Sequence, residues 1–474
     1  MNVIKLYNTQ SRQIEEINPS NSDGILRIYC CGPTVYNYAH IGNFRTFLLQ
    51  DVLCRLLITV GYRIKFVRNI TDVDDKTIHG AQRENISLQS FTERWTDIFH
   101  RDCEALNILL PDVEPKAASH IAEQIAMIET LIKKEHAYVT ADGSVYFRLS
   151  SFPDYGKLSK IDTRQLATQG ENSAGRTNLA DEYDRDSVHD FALWKAHKVE
   201  DGDVFWESPW GKGRPGWHIE CSAMSMKYLG ETIDIHGGGI DLCFPHHENE
   251  IAQTECVTGK PFVRHWFHSE HLRIEGQKMS KSLGNLFTLT DLINKGYAAD
   301  VIRYALIGGH YRQILNFTLS GLDAAQSALG KLRAKVVNLS KETHFSPGEN
   351  LFHPNVLYHY LNTAIEALKN DLNVPKCLGE IFSILNDNTN GNESFLRELY
   401  ALCFILGIEK FVFDQGKNEK FVEIPSDIAK LAAQRWQARC NRDFEESDRL
   451  RQLLTERGWS IVDRREGYEL EKIK

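Results

Sequence analysis

The apolar residues change period twice within the first seventy positions. Ile25 to Tyr29 is a short apolar run that predicts a buried strand, and Gly32 and Pro33 end any regular element just past it. From Gly42 the spacing lengthens. Phe44, Phe47, Leu48, Val52, Leu53 and Leu56 recur on one helical face, which predicts an amphipathic helix. Arg63 to Arg68, R-I-K-F-V-R, reads as a second strand. Strand, helix and strand within about 45 residues predict a βαβ unit and therefore a parallel sheet. Ahead of it, Val3 to Tyr7 predicts a short strand. Behind it, residues 84 to 136 keep a helical period through Phe91, Trp95, Ile98 and Phe99, interrupted by Leu106 to Pro115. Residues 137 to 200 carry short β-like runs at Tyr138-Val139 and Val145 to Phe147. The polar span Gly170 to Asp186 there is expected to be a mobile loop. Strand and turn chemistry returns over residues 203 to 250. From residue 320 the spacing of Leu322, Leu329, Leu332, Val336 and Leu339 predicts helices, resumed at Val356 to Leu372 and Phe395 to Leu406, as in a bundle. Asp414 to Glu419 reads as a linker. Pro425-Ser426-Asp427 then opens two basic helices and a terminal hairpin.

Composition narrows this picture little. A chain of 474 residues exceeds one core, so several domains are expected. A net charge of −9 argues against a general polyanion binder but leaves room for a localised basic surface. The 10 cysteines are scattered and form no C-x-x-C pair, so neither a zinc knuckle nor a disulfide framework is suggested. The first residues lack an apolar signal core, and no run of 18 apolar residues occurs. A reducing, cytoplasmic location and no membrane contact are expected.

Chemistry-bearing residues concentrate in four places. The stretch Tyr29 to Arg45 combines a strand end, a glycine-bearing turn and a helix start, which together form an anion cradle. His40 and Asn43, three apart, can both reach one phosphate there. Cys31 lies beside the cradle. Asn69 to Lys76, N-I-T-D-V-D-D-K, follows the second strand, and its three aspartates read either as a metal site or, preferably, as helix capping by Thr71 or Asp72. Residues 214 to 250 hold the third group. His246 and Glu250, four apart after Pro245, can meet one metal, and Cys221 and Cys31 would complete four ligands. No local spacing joins these positions, so two buried cysteines and a capping His–Glu pair stand as the alternative. Gly237 to Gly239, between His236 and Asp241, allow close approach to a ligand or form a tight turn. Lys278 to Ser282, K-M-S-K-S, offers two lysines for nucleotide phosphates or a solvated charge pair.

These pieces resemble the class I aminoacyl-tRNA synthetases. His40-Ile41-Gly42-Asn43 is similar to the class's first motif and Lys278-Met279-Ser280-Lys281-Ser282 to its second. Within the class, the chain resembles the cysteinyl-tRNA synthetase family. That likeness rests on Cys31 to Tyr36, Asn69 to Lys76, Gly216 to Met224 and Phe244 to Glu250. The resemblance implies an α/β fold: a Rossmann-type parallel-sheet catalytic domain over 1–120 and 203–264, split by a connective insertion at 121–202. A lysine-loop region at 265–318, a helical bundle at 319–413 and a small C-terminal anticodon-binding domain at 424–474 would follow. It implies zinc on Cys31, Cys221, His246 and Glu250, bound directly by the sulfur of the substrate. Gly32, Thr34, Thr71, Trp217 and Asp241 would surround L-cysteine. His40, Asn43, Lys278 and Lys281 would be catalytic and bind ATP together with His236, Gly237 and Gly238, with Mg²⁺ accompanying the nucleotide. The implied partner is tRNA(Cys), and a monomer is expected. Asn43 departs from the family, which usually carries histidine there. Two rivals stand beside this reading. One is a ligase that passes cysteine to an aminosugar, against which the basic C-terminal helices argue. The other is a degenerate RNA- or zinc-binding module, against which the presence of both His40 and Lys281 argues.

Overall fold

The computed structural model describes residues 3–160, 190–279, 285–343, 345, 358–386, 392–413, 426–441, 443–464 and 467–472. It divides into two compact units, residues 1–291 with 299–413 and residues 292–298 with 414–474. The predicted mobile loop at Gly170 to Asp186 lies outside the described residues.

The first unit opens with a hairpin, β1 (Lys5–Asn8) against β2 (Gln13–Glu16). The second of these strands is polar and mostly exposed and has no apolar signature in the sequence. Strand β3 (Ile25–Cys30), helix α1 (Ile41–Thr59) and strand β4 (Arg63–Arg68) follow, with β3 and β4 parallel and in register from Ile25 opposite Arg63 to Cys30 opposite Arg68. The βαβ expectation is met, but α1 is not amphipathic. It is buried on nearly every face, including Arg45, Gln50, Asp51 and Arg55. Helices α2 (Asp75–Glu84), α3 (Leu88–Ala105) and α4 (Ile121–Lys133) come next. The cap of α2 is Asp74, whose side chain accepts from the Lys76 N–H, and not Thr71 or Asp72. Asp72 instead accepts from the Ala118 N–H at 2.8 Å.

An antiparallel sheet of β5 (Ala137–Val139), β6 (Val145–Phe147), β7 (Phe191–Ala196) and β8 (Gly213–Pro215) interrupts the parallel one. The chain returns through α5 (Trp217–Leu229), β9 (Ile233–Gly239), α6 (Glu248–Thr258) and β10 (Val263–Ser269). The parallel sheet runs β10-β9-β3-β4. The chain leaves β3 to one side for β4 and fills the other side later with β9 and β10. The carboxyl end of β3 is therefore the switch point at which open α/β sheets bind ligands. Gly237 to Gly239 form the end of β9 rather than a turn. A Cβ on Gly238 would lie 2.8 Å from His247 Cε1, and one on Gly239 2.4 Å from Asp241 Oδ1. The glycines thus make room for neighbouring side chains.

Beyond the sheet, β11 (Leu272–Ile274) pairs with β12 (Gln277–Lys278) and with β13 (Leu315–Phe317). Helices α7 (Leu289–Asn294) and α8 (Ala299–Ile307) lie between them in sequence. Helices α9 (Leu319–Thr343), α10 (Asn362–Lys369), α11 (Val374–Asn386), α12 (Glu393–Leu406) and α13 (Glu409–Phe413) follow. Their apolar positions Leu322, Leu329, Leu332 and Val336 are buried, as the helical period predicts. The second unit carries α14 (Ser426–Cys440), α15 (Phe444–Glu456) and the hairpin β14 (Trp459–Arg464) with β15 (Gly467–Lys472), around Ile428, Ala432, Leu454, Trp459 and Ile461. Among the described residues no helix is long and apolar enough to cross a membrane.

Candidate active site and metal centre

Cys31 follows the last residue of β3, and the backbone turns at once. The Gly32 N–H donates to Asn69 Oδ1 at 2.9 Å, and a Cβ at this position would lie 1.6 Å from the Asn69 carbonyl oxygen. Only glycine lets the ends of β3 and β4 approach this closely. Three further side chains converge on Cys31 from later elements. Cys221 stands on the second turn of α5, with its Sγ 3.9 Å from that of Cys31. His246 precedes α6, Glu250 lies in its first turn, and His246 Nε2 is 3.0 Å from Glu250 Oε1. One donor atom from each of Cys31, Cys221, His246 and Glu250 lies within 4.8 Å of the others, and all four residues are buried. The four residues named from the sequence are thus brought together.

A second grouping, Cys31, His236, His247 and Glu250, meets the same distance limit. The two share Cys31 and Glu250, and His247 Nε2 also faces Cys31 Sγ at 3.5 Å. His236 Nε2 is 2.8 Å from Glu250 Oε2, and His247 Nδ1 is 2.8 Å from His268 Nε2. His236 thereby holds the outer oxygen of Glu250, while Oε1 is left to His246 and Cys31. Two sulfurs, one nitrogen and one carboxylate oxygen form a donor set that suits zinc. The hydrogen bond with Cys31 is the main cause that lowers the Cys221 thiol to about 6. Burial pushes Cys31 up, and the Cys221 contact adds to it. Burial alone would lower His246, but Glu250 and Cys221 raise it to about 10. Burial alone would raise Glu250, but His236 and His246 bring it to about 2. Without a metal, Cys221 and Glu250 are thus held anionic, while Cys31 is held as a thiol and His246 as an imidazolium, so a metal binding here would displace a proton from each of the latter two.

A cleft of about 730 Å³ opens beside this cluster, and Cys31 belongs to both. Gly32, Thr34, Trp217 and Asp241 line it, and Trp217 packs on the His246 ring with centroids 4.2 Å apart. Thr71 does not line it. That side chain is buried and donates to Glu220 Oε2 at 3.1 Å, while its backbone pairs with Thr34. Also lining the cleft, His40 and Asn43 cap α1 reciprocally. The Asn43 N–H donates to His40 Nδ1 at 3.2 Å, and the His40 N–H donates to Asn43 Oδ1 at 3.1 Å. Asn43 uses its oxygen in the cap, so what it offers an anion is the Nδ2 donor. Lys278 is exposed, ends β12 and lines the same cleft. Its neighbour Met279 sits against the start of α1, where a Cβ on Gly42 would come within 2.3 Å of Met279 Cε. Lys281 lies outside the described residues. His236 has no exposed surface and stacks on Trp266, 4.7 Å between centroids. Among the glycines of that motif, Gly239 lines the cleft while Gly237 and Gly238 lie behind it.

Sequence reasoning missed the aromatic and imidazole layer under the cluster. His236, His247, His268 and Trp266 stack there, and His268 Nδ1 reaches Thr9 Oγ1 at 2.8 Å. The layer draws on residues from 9 to 268, so no window of sequence displays it.

Residues 17–327 match the family described as tRNA synthetases class I (C) catalytic domain. Solved structures with this fold include Mycobacterium tuberculosis methionyl-tRNA synthetase in complex with methionyl-adenylate. It is 15% identical, with a TM-score of 0.56 over 82% of this chain and 90% of that one. A second is the ternary complex of Agrobacterium radiobacter K84 agnB2 LeuRS, 10% identical, with a TM-score of 0.58 over 84% of this chain and 85% of that one. Fold and matched domain define a class I aminoacyl-tRNA synthetase, a ligase. Among curated relatives, "Cysteine--tRNA ligase" of Opitutus terrae is 49% identical over 99% of both chains, and that of Chlamydia muridarum 43% identical over 99% of both. The chain belongs to the cysteine–tRNA ligase family.

Proposed function

We propose that this enzyme activates L-cysteine with ATP and transfers it to tRNA(Cys), selecting cysteine through zinc. The observation that carries the reading is the position of Cys31, shared between a buried Cys–Cys–His–Glu cluster and a cleft that reaches the start of α1. A carboxylate oxygen of cysteine bonds to the α-phosphorus, the bond to the bridging oxygen breaks, and pyrophosphate leaves. A terminal ribose hydroxyl of the tRNA then bonds to the activated carbonyl carbon. AMP departs with the electron pair, and the hydroxyl proton passes to phosphate or solvent. The protein contributes position and charge rather than covalent chemistry. The α1 N-terminus with His40 and Asn43 holds the α-phosphate, and Lys278 with Lys281 neutralises the pyrophosphate. Trp217, Thr34 and Gly32 enclose the amino acid, and Asp241 holds its α-amino group. Cys31, Cys221, His246 and Glu250 would hold Zn²⁺, which binds a thiolate far better than a neutral hydroxyl. Mg²⁺ would accompany ATP. Residues 424–474 would bind the anticodon, and the enzyme would act as a cytoplasmic monomer.

The test is ATP–pyrophosphate exchange with cysteine or serine, alongside zinc content. Exchange with cysteine should exceed that with serine by about 10⁴-fold, the scale at which a built-in polar partner discriminates. Equal exchange with both amino acids would overturn selection at the cluster.

A further inference from the structure

The cleft has a third side that neither cysteine nor ATP accounts for. It is built from the segment just before His40, the first turn of α2, and α3. Tyr36, Tyr38, Lys76, Trp95 and Phe99 line it. Tyr38 keeps 45% of its surface exposed. Its ring meets Trp95 edge-on, with centroids 5.0 Å apart at 82°. The two rings form a corner with one open face. Trp95 Nε1 is buried, so what the corner offers a ligand is ring surface. Cations flank it. Arg94 lies 5.2 Å over the Trp95 ring and is paired with Glu84, and Lys76, exposed, lies 5.4 Å from the Tyr36 ring.

Aromatic faces with neighbouring cations bind a nucleobase and its phosphate. Position selects which nucleobase. Transfer brings a third reactant, the terminal ribose, within bonding reach of the carbonyl activated at the α1 N-terminus. The base on that ribose must rest within one nucleotide of the cradle. Tyr36 and Tyr38 lie four and two residues before His40, so the chain itself sets the corner beside the cradle.

We propose that the Tyr38–Trp95 corner is the seat of the 3′-terminal base of the tRNA, with Lys76 beside its phosphodiester. This rests on the aminoacyl-transfer reading above. Stacking on Tyr38 orients the ribose hydroxyl. The corner takes no part in selecting cysteine.

The test uses single-turnover transfer from preformed cysteinyl-adenylate, normalised to cysteine-dependent pyrophosphate exchange by the same preparation. Two acceptors are compared, a full-length tRNA(Cys) transcript and the same transcript with an abasic terminal nucleotide. Tyr38→Ala removes an exposed ring, so the fold is not at stake. Its transfer-to-exchange ratio with the intact transcript should fall about tenfold, the scale of one base–aromatic stack. Tyr38→Phe should restore it. With the abasic transcript, parent and Tyr38→Ala should be equally slow. The proposal is overturned if exchange falls as far as transfer, which would give the ring to ATP. It is also overturned if the parent charges both transcripts equally, or if Tyr38→Ala slows both by the same factor. A parent protein without cysteine-dependent exchange would instead overturn the reading of the activity.

Discussion

At the scale of single residues, the cluster at Cys31 depends on each ligand differently. Cys221 brings the sulfur most easily ionised, drawn down to about 6 by its hydrogen bond with Cys31. Cys221→Ser keeps the size of a buried side chain but replaces that sulfur with a neutral hydroxyl. Zinc content should fall from one per chain toward none, and cysteine-dependent exchange should fall with it. Full zinc by elemental analysis would remove Cys221 from the site. Asn43 invites the opposite expectation. Its oxygen accepts the His40 N–H and its amide remains to donate, and histidine can do both through its two ring nitrogens. Asn43→His should keep or raise exchange, and complete inactivation with an unchanged melting temperature would show a site rebuilt around asparagine. The sequence exposes these residues unevenly. The juxtaposition of His40 and Asn43 is legible because a helix cap is local, fixed by residues three apart at one helix start. The ligand set is not, because β3, α5 and α6 carry it from residue 31 to residue 250, and only resemblance joins them. His236 misleads for a related reason. Its setting, H-G-G-G, looks like a phosphate loop, yet the side chain is turned onto Glu250 from beneath.

At the scale of elements, α1 shows how a polar residue in a sequence can hide a buried face. Asp51 and Arg55 look like the solvent side of an amphipathic helix. Arg55 Nε donates to Asp51 Oδ2 at 2.8 Å, and Arg303 from α8 donates to the same oxygen at 2.5 Å. Arg303 also donates to the Leu406 carbonyl, and Arg55 to that of Phe404, so the charges pin α1 to α8 and α12. No periodicity analysis separates a paired buried aspartate from a solvated one, because the partner is over 250 residues away. Removing the acid takes the nearest counter-charge from two buried guanidinium groups and leaves Arg55 to Glu409, whose Oε1 is 3.9 Å away. Asp51→Asn should therefore destabilise the first unit by about 3–5 kcal/mol in denaturant unfolding. The pH dependence has a definite sign. Burial would raise Asp51, but Arg303 and Arg55 hold it below its ordinary 3.8. The stabilisation is then present above that ordinary value and is lost as pH falls through the lower, folded value. Parent and Asp51→Asn should converge in stability on acidification below pH 3.8, and a constant gap there would mean the pair does not titrate with folding. The order β3–α1–β4 is legible locally, with β4 at its expected Arg63–Arg68, while β3 runs one residue past Tyr29 and α1 starts one residue before Gly42 and is buried rather than amphipathic.

At the scale of the whole molecule, the question is how activation and tRNA use are divided along the chain. The protein is acidic at −9, while residues 425 to 474 carry 11 arginines and lysines against 10 acids, close to neutral. The second unit refines which of them can meet RNA. Arg435 is fully buried, and Trp459 is a core residue at 3% exposure, so neither can stack on a base. Trp436 packs against Tyr468, 5.9 Å between centroids. Arg449 is held by Glu446 through both oxygens. Arg439 and Arg457 are exposed, and under the proposed reading each can be tested for a phosphate contact. Deleting residues 414–474 should leave zinc content and cysteine-dependent exchange intact, because every described residue assigned to cysteine, metal or ATP precedes residue 292. Charging of tRNA(Cys) should fall sharply. A thermal melt of the truncated chain separates this from a loss of fold in the first unit. The intact protein's tRNA affinity should drop as salt rises, with a log–log slope near −0.9 per phosphate neutralised in a duplex and near −0.7 in a single strand. Arg439→Ala and Arg457→Ala should each make that slope shallower by about one such step. If the truncated enzyme charges tRNA as fast as the full chain, the second unit does not read the anticodon, and transfer of cysteine to a smaller acceptor such as an aminosugar becomes the better account of residues 1–413.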